Sequence, residues 1–258
     1  MPENQSYCRV CSSPTNFLWS AELIGVPVDY FECPNCDYVQ TQSPHWLDVA
    51  YSSAINDSDT GVMRRNLSNC RLVLGVLYLL NNVHGKVLDY AGGWGILVRL
   101  LRDVGVDARW FDKYCENLVA KGFEHKATSY QLVSAFEAFE HFEYPLEELK
   151  GMLEHAPNVL LSTELIRRPS PAHRDWWYYG QEHGQHIGFF RVKTLQHMAK
   201  KMGKHLVTDG RNYHLFSDKA VSPFSWKVMI KLNKLYSFFV KRRLSSKTWS
   251  DFLELSDN

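Results

Sequence analysis

Hydrophobic positions change period several times along this chain. From Thr60 to Asn82 they recur at helical spacing, with Leu67, Cys70, Val73, Leu74, Leu77 and Leu80 on one stripe. Short apolar runs then alternate with amphipathic ones. KVLDYA (86–91), ARWFD (108–112), YQLVSAF (130–136) and NVLLSTEL (158–165) predict strands. ILVRLLRDVG (96–105), ENLVAKG (116–122), PLEELKGMLEHA (145–156) and VKTLQHMAKKMG (192–203) predict helices. HLVTDGR and NYHLFS (205–217) predict a terminal antiparallel pair. Strands alternating with helices imply an α/β domain, a parallel sheet with helices on both faces. There is no internal repeat and no low-complexity region.

The ends differ from this middle. NFLWSAELI (16–24) and VDYFECP (28–34) are β-like, and a polar connector, SPHWLDVAYSSAINDSDTG (43–61), follows them. The expected organisation is a small module over 1–42, a main domain over 43–218 with a substrate loop at 166–190, and a tail over 219–258. In that tail Lys227, Lys231, Lys234 and Lys241 recur at helical spacing beside Trp226, Met229, Ile230, Leu235, Phe239 and Val240. A basic amphipathic helix of this kind either lies on an anionic membrane or docks on its own domain or a second subunit.

Composition narrows the class. Of 258 residues, 45% are hydrophobic and 22% charged, as in an ordinary globular protein. No apolar run is long enough to span a bilayer, and MPENQSYCRVC is no signal peptide, so a cytoplasmic setting is expected, with membrane association through the tail as a variant. The net charge of +1 hides an asymmetry: residues 1–218 hold 21 Lys+Arg against 25 Asp+Glu, and residues 219–258 hold 8 against 3. An acidic body argues against a nucleic-acid partner.

Four cysteines form two C-x2-C pairs, Cys8/Cys11 and Cys33/Cys36, with 21 residues between Cys11 and Cys33. Each pair supplies two sulfurs from one knuckle, and four thiolates at tetrahedral corners make a closed, structural zinc site. Two disulfides, or four unrelated thiols, are the alternatives. Cys70 and Cys115 stand alone and are expected to be buried.

VLDYAGGWG (87–95) is an apolar strand, then Asp89, then small residues at Ala91, Gly92, Gly93 and Gly95. Such a turn lets a ligand approach the backbone. Asp112, at the end of the next strand, is placed to accept hydrogen bonds from a vicinal diol. WWYYGQEHGQHIGFF (176–190) gathers Glu182, His183 and His186 among aromatic residues and glycines.

With these motifs the chain resembles class I S-adenosylmethionine-dependent methyltransferases. VLDYAGGWG is similar to their first motif, with Ala91 in place of the usual glycine, and LVSAFEAFEH (132–141) is similar to their fourth-strand motif. The aromatic segment resembles a subgroup with an N-terminal zinc module. Its members include C-methyltransferases of nucleotide-linked deoxy-sugars and enzymes of surface-polysaccharide pathways. The resemblance implies a doubly wound Rossmann-like sheet, with S-adenosylmethionine held by the 89–95 turn and Asp112. Phe136 and Glu137 would close over the methionine end, and Arg65, near Gly61, would meet the methionine carboxylate. The acceptor would be a small molecule or glycan, a sugar carbon or hydroxyl. An acceptor must lose a proton, and a carbon acceptor also needs an enolate stabiliser. His183 or Glu182 is the expected base and Tyr179 or His186 the expected donor, on a loop bent at Gly180 and Gly184. His141 beside Glu140 is either a second base or a helix-start residue at the cleft edge, and Glu182, His183 and His186 could instead hold a metal. Trp176, Trp177, Tyr178 and Phe189 read as core or lid. The rival readings are RNA methylation, since zinc knuckles often accompany RNA enzymes, and a non-catalytic S-adenosylmethionine-binding module. An oligomer is compatible with either.

Overall fold

The computed structural model describes residues 6–51 and 60–256. The middle of the polar connector, residues 52–59, lies outside the described residues. In chain order the elements are β1 (Asn16–Leu23), β2 (Val26–Glu32), β3 (Val39–Thr41), α1 (Leu47–Ala50), α2 (Val62–Leu79), β4 (Val87–Tyr90), α3 (Ile96–Asp103), β5 (Ala108–Phe111), β6 (Leu132–Phe136), α4 (Pro145–His155), β7 (Val159–Ser162), β8 (Gly188–Phe189), α5 (Val192–Met202), β9 (His205–Thr208), β10 (Tyr213–Ser217), α6 (Pro223–Lys231), α7 (Asn233–Lys241) and α8 (Thr248–Ser256).

Six strands form one sheet in the order β5-β4-β6-β7-β10-β9. The first four are parallel, and β10 runs antiparallel to both β7 and β9. The chain leaves β4 toward β5 and returns on the other side as β6. That reversal opens a crevice beyond the carboxyl ends of the strands. Strands β6 and β7 are almost wholly buried, which is why they read as continuous apolar runs.

Helices α2, α3, α6 and α7 cover one face, burying Val73, Leu77, Leu97, Leu101, Trp226, Met229 and Val240. Helices α4 and α5 cover the other with Leu149, Met152, Leu195 and Met198. Helix α2 is buried all round at its middle, Leu72 to Leu77, because α6 and α7 lie over it. Leu67, on the expected stripe, is instead 44% exposed, one turn before that cover begins.

Residues 116–122 were expected to be helical and are not. Their backbone donors go elsewhere: Leu118 and Val119 donate to the Trp94 carbonyl, and Ala120 donates to Asn117 Oδ1 at 2.9 Å. An Asn side chain that captures a nearby N–H competes with the helix ladder.

The N-terminal residues build a second sheet, β1-β2-β3-β8, whose fourth strand comes from the 166–190 loop. Val39 pairs with Phe189 and Gln40 with Gly188. Arg9 donates to the Ile187 carbonyl at 3.1 Å, Trp46 Nε1 to the Gly184 carbonyl at 2.8 Å, and Arg191 to the Asp37 carbonyl at 2.9 Å. The module is therefore sewn to the loop that carries Glu182, His183 and His186.

Candidate active site

A cavity of about 1010 Å³ opens at the sheet crevice. Its floor is the β4–α3 turn. Ala91 takes a left-handed backbone, φ +59°, that would suit glycine better. At Gly92 an added Cβ would lie 2.7 Å from the Trp110 ring and 3.1 Å from the Asp89 carboxylate, so no side chain fits. Trp110 Nε1 donates to the Gly93 carbonyl at 2.8 Å and props the turn from below. Gly95 does not reach the cavity. It stands at the start of α3 with φ +84°, packed against Asn117, and serves the turn rather than the ligand.

Asp89, Ala91, Gly92, Gly93, Asp112, Phe136, Glu137 and Arg65 all line the cavity. Asp112 accepts from the Gly93, Tyr114 and Cys115 backbone N–H groups, each at 2.8 Å. A carboxylate has about four acceptor sites, so one remains for a ligand rather than the two that a diol could use. Asp89 is 3% exposed and accepts from the Ser134 hydroxyl at 2.8 Å. Burial pushes its carboxyl up to about 7 against that hydrogen bond, and the nearby Asp112 charge adds to the rise. Cys115 also lines the cavity, whereas Cys70 is buried as expected.

The opposite wall is the loop. Glu182, His183 and His186 line it, with His141 from the segment after β6. The rings of His183 and His186 lie 4.8 Å apart, as do those of His186 and His141. Burial first, and the neighbouring imidazoles next, hold His141 well below the ordinary histidine value. Burial lowers His183 and takes His186 down to about 4. All three are neutral near pH 7.

Backbone partners fix the tautomers of His186 and His183. His186 Nδ1 donates to the Tyr178 carbonyl at 2.6 Å, which leaves a lone pair on Nε2. His183 Nδ1 accepts from the Gln185 N–H at 3.1 Å, which puts its proton on Nε2, against Gly180. His141 Nδ1 meets the Tyr51 hydroxyl at 3.0 Å. Glu182 is exposed at the cavity rim.

Tyr179 is not a cavity donor. Its hydroxyl donates to the Pro171 carbonyl at 3.0 Å within the apolar cluster under the N-terminal sheet. Tyr178 lines the cavity in its place. Its hydroxyl bridges two carboxylates, Glu140 Oε1 at 2.7 Å and Glu137 Oε2 at 3.1 Å. One hydroxyl proton cannot serve both unless a carboxyl is also protonated. Burial, then the Glu137 charge, pushes Glu140 up to about 8. Sequence reasoning missed this pair. The only signal for it was the Glu137-x-x-Glu140-His141 spacing.

Glu182, His183 and His186 do not converge as a metal cage. Among the described residues the clusters are Cys8/Cys11/Cys33/Cys36 and Glu140/His141/His186, each with ligand atoms within 4.8 Å of one another. In the second, His141 Nε2 and Glu140 Oε1 are 4.0 Å apart, wider than the roughly 3.3 Å spacing around a cation bound at ~2 Å, and Glu140 already holds a hydroxyl. It reads as an acid–base network. The cysteines fit a metal better. Sγ of Cys8 and Cys36 are 3.5 Å apart, those of Cys11 and Cys33 are 3.4 Å apart, and no disulfide links them. A tetrahedron with Zn–S arms of ~2.3 Å has edges of about 3.8 Å. The Cys36 thiol, chiefly, pushes Cys8 down to about 5 and so favours a thiolate there.

Residues 63–208 match a family described as a methyltransferase domain. No curated protein matches the chain. Among solved structures the chain is similar to magnesium protoporphyrin IX methyltransferase from Synechocystis PCC 6803 with bound SAM, at 14% identity over 67% of this chain and 90% of that one, TM-score 0.40. It is also similar to an O-methyltransferase family protein from Burkholderia thailandensis, at 14% identity over 70% and 64%, TM-score 0.46.

Proposed function

The chain belongs to the methyltransferase-domain family, and on that premise we propose that it transfers a methyl group from S-adenosylmethionine to a sugar hydroxyl or carbon of a small-molecule or glycan acceptor. One observation carries this reading: a single cavity has the cofactor-type turn and Asp112 on one wall and three neutral histidines on the other. Asp89, the 91–93 turn and Asp112 would hold the cofactor, which supplies an electrophilic methyl group at its sulfonium. Phe136 and Glu137 flank that position, and Arg65 would meet a carboxylate at the α2 end. This chain's own task is to place the acceptor in line and remove its proton.

The tautomers favour the reverse of the order expected from sequence. His186 is the base, through the Nε2 lone pair that the Tyr178 carbonyl aims. His183 is the donor, through Nε2–H, where it would steady an alkoxide or enolate. Glu182 tunes the rim. Glu140, buried behind this wall, and Glu137, on the cavity side, orient Tyr178 between them. In the N-terminal module the four thiolates hold a structural zinc.

A methyl-release assay on nucleotide sugars and on bulk RNA tests the acceptor class. Turnover on RNA alone would overturn the glycan reading, and cofactor binding with no turnover on either would favour the non-catalytic module. With an acceptor in hand, His186→Ala should lower kcat by about 10²–10⁴-fold while cofactor affinity stays near the parent's. His183→Ala should cost less. The opposite ranking would return the base to the Glu182–His183 pair.

A further inference from the structure

Helix α8 is inside out. The residue it buries is Asp251, 2% exposed, while Trp249, Phe252, Leu253 and Leu255 are 69%, 56%, 44% and 46% exposed. A helix on a globular surface ordinarily does the opposite. The burial is specific: Asp251 accepts from Arg102 at 2.7 and 2.8 Å and from Arg99 at 2.6 Å, so α8 is pinned to α3 by its charge. Helix α7 repeats the pattern more mildly. It packs on α2 through Val240, yet Leu235, Phe238 and Phe239 are about half exposed. Helix α7 rests on α2 and α8 is tied to α3 through Asp251, and α2 and α3 are neighbours, so both are attached to the same helical layer.

Basic side chains stand among the apolar ones of α6 and α7, while α8 itself has no Lys or Arg and exposes Glu254. Lys227, Lys231, Lys234, Lys241, Arg242 and Arg243 are exposed, and residues 219–247 contain eight Lys and Arg and no acid. Two copies of such a surface would repel each other, whereas an anionic surface would be drawn to it. We propose that this side docks on an anionic lipid bilayer, with the α7 and α8 aromatic residues at the headgroup–acyl boundary and the Lys and Arg side chains on acidic headgroups. The contact is peripheral, since no helix of the described residues is long and apolar enough to cross a membrane.

The test is co-sedimentation of the full chain with phosphatidylcholine vesicles, with and without phosphatidylglycerol. Binding should need the anionic lipid and weaken with salt. The double variant Trp249→Ala/Phe252→Ala should lose about tenfold or more in partitioning, and Lys234→Gln and Lys241→Gln about fivefold each. All these side chains are exposed, so the thermal midpoint and cofactor affinity should not move. Absence of binding to anionic vesicles overturns the proposal. So does equal binding to neutral ones, or a dimer in sedimentation equilibrium that the Trp249/Phe252 variant dissolves, which would assign the face to a second copy.

Discussion

Asp112 holds three backbone donors before any ligand arrives. Replacing it with Ala frees the Gly93 turn and, on the proposed reading, also removes one charge-assisted contact to the cofactor's ribose. Cofactor affinity by calorimetry should fall by about 1–3 kcal/mol, and an unchanged affinity would mean that the cofactor lies elsewhere. Asp89 adds a pH signature. Its carboxyl sits near 7, so it is largely neutral below that pH and ionised above it. A cationic amino group set against it should bind about tenfold better per unit as pH rises toward 7 and then level off. Asp89→Asn should erase that slope. His186 acts on stability in the other sense. Its folded value, about 4, is below the ordinary 6.5, so between those limits the unfolded chain binds the extra proton and stability falls as pH falls. The loss reaches about 3 kcal/mol at the acid end. His186→Gln should show a flatter drop in thermal midpoint over that window than the parent. The sequence placed all three residues but could not rank His183 and His186. Their roles depend on which ring nitrogen meets which backbone group, and that is set by the turn at Gly184 rather than by residue type.

Elements with a strong period were legible: β4, β6, β7, α3, α4 and α5 fall where the apolar pattern put them. The failures came where side chains override the backbone. Asn117 diverts the donors of 116–122, and the tight turn at 177–179 sends Tyr178 and Tyr179 to different partners. Spacing cannot resolve two adjacent tyrosines in such a turn. Two element-scale predictions follow from close approaches. Gly188 in β8 lies against Tyr38, where an added Cβ would sit 1.9 Å from the hydroxyl. Gly188→Ala should destabilise by about 1–3 kcal/mol in denaturant unfolding. The cysteine knuckles should carry one zinc per chain by metal analysis. Because β8 joins their sheet, Cys33→Ser should disturb turnover as well as the module, and full activity in a zinc-free variant would contradict that coupling.

At the scale of the whole molecule, the domain boundary drawn at residue 42 follows the chain but not the packing. Nothing local announces β8: it is two residues long, and its partner β3 lies well over a hundred positions earlier. Strand β3 itself, Val39–Thr41, is buried throughout, so its outer edge is covered only once Gly188 and Phe189 have arrived. During synthesis that edge leaves the ribosome long before its cover exists. For that interval the nascent N-terminal segment carries an unpaired strand, the feature that most readily recruits a neighbouring chain. The hazard thus belongs to the order of birth of the two halves, and a chaperone that shelters residues 6–41 until the loop emerges should raise the yield of native protein more than one acting on the finished chain.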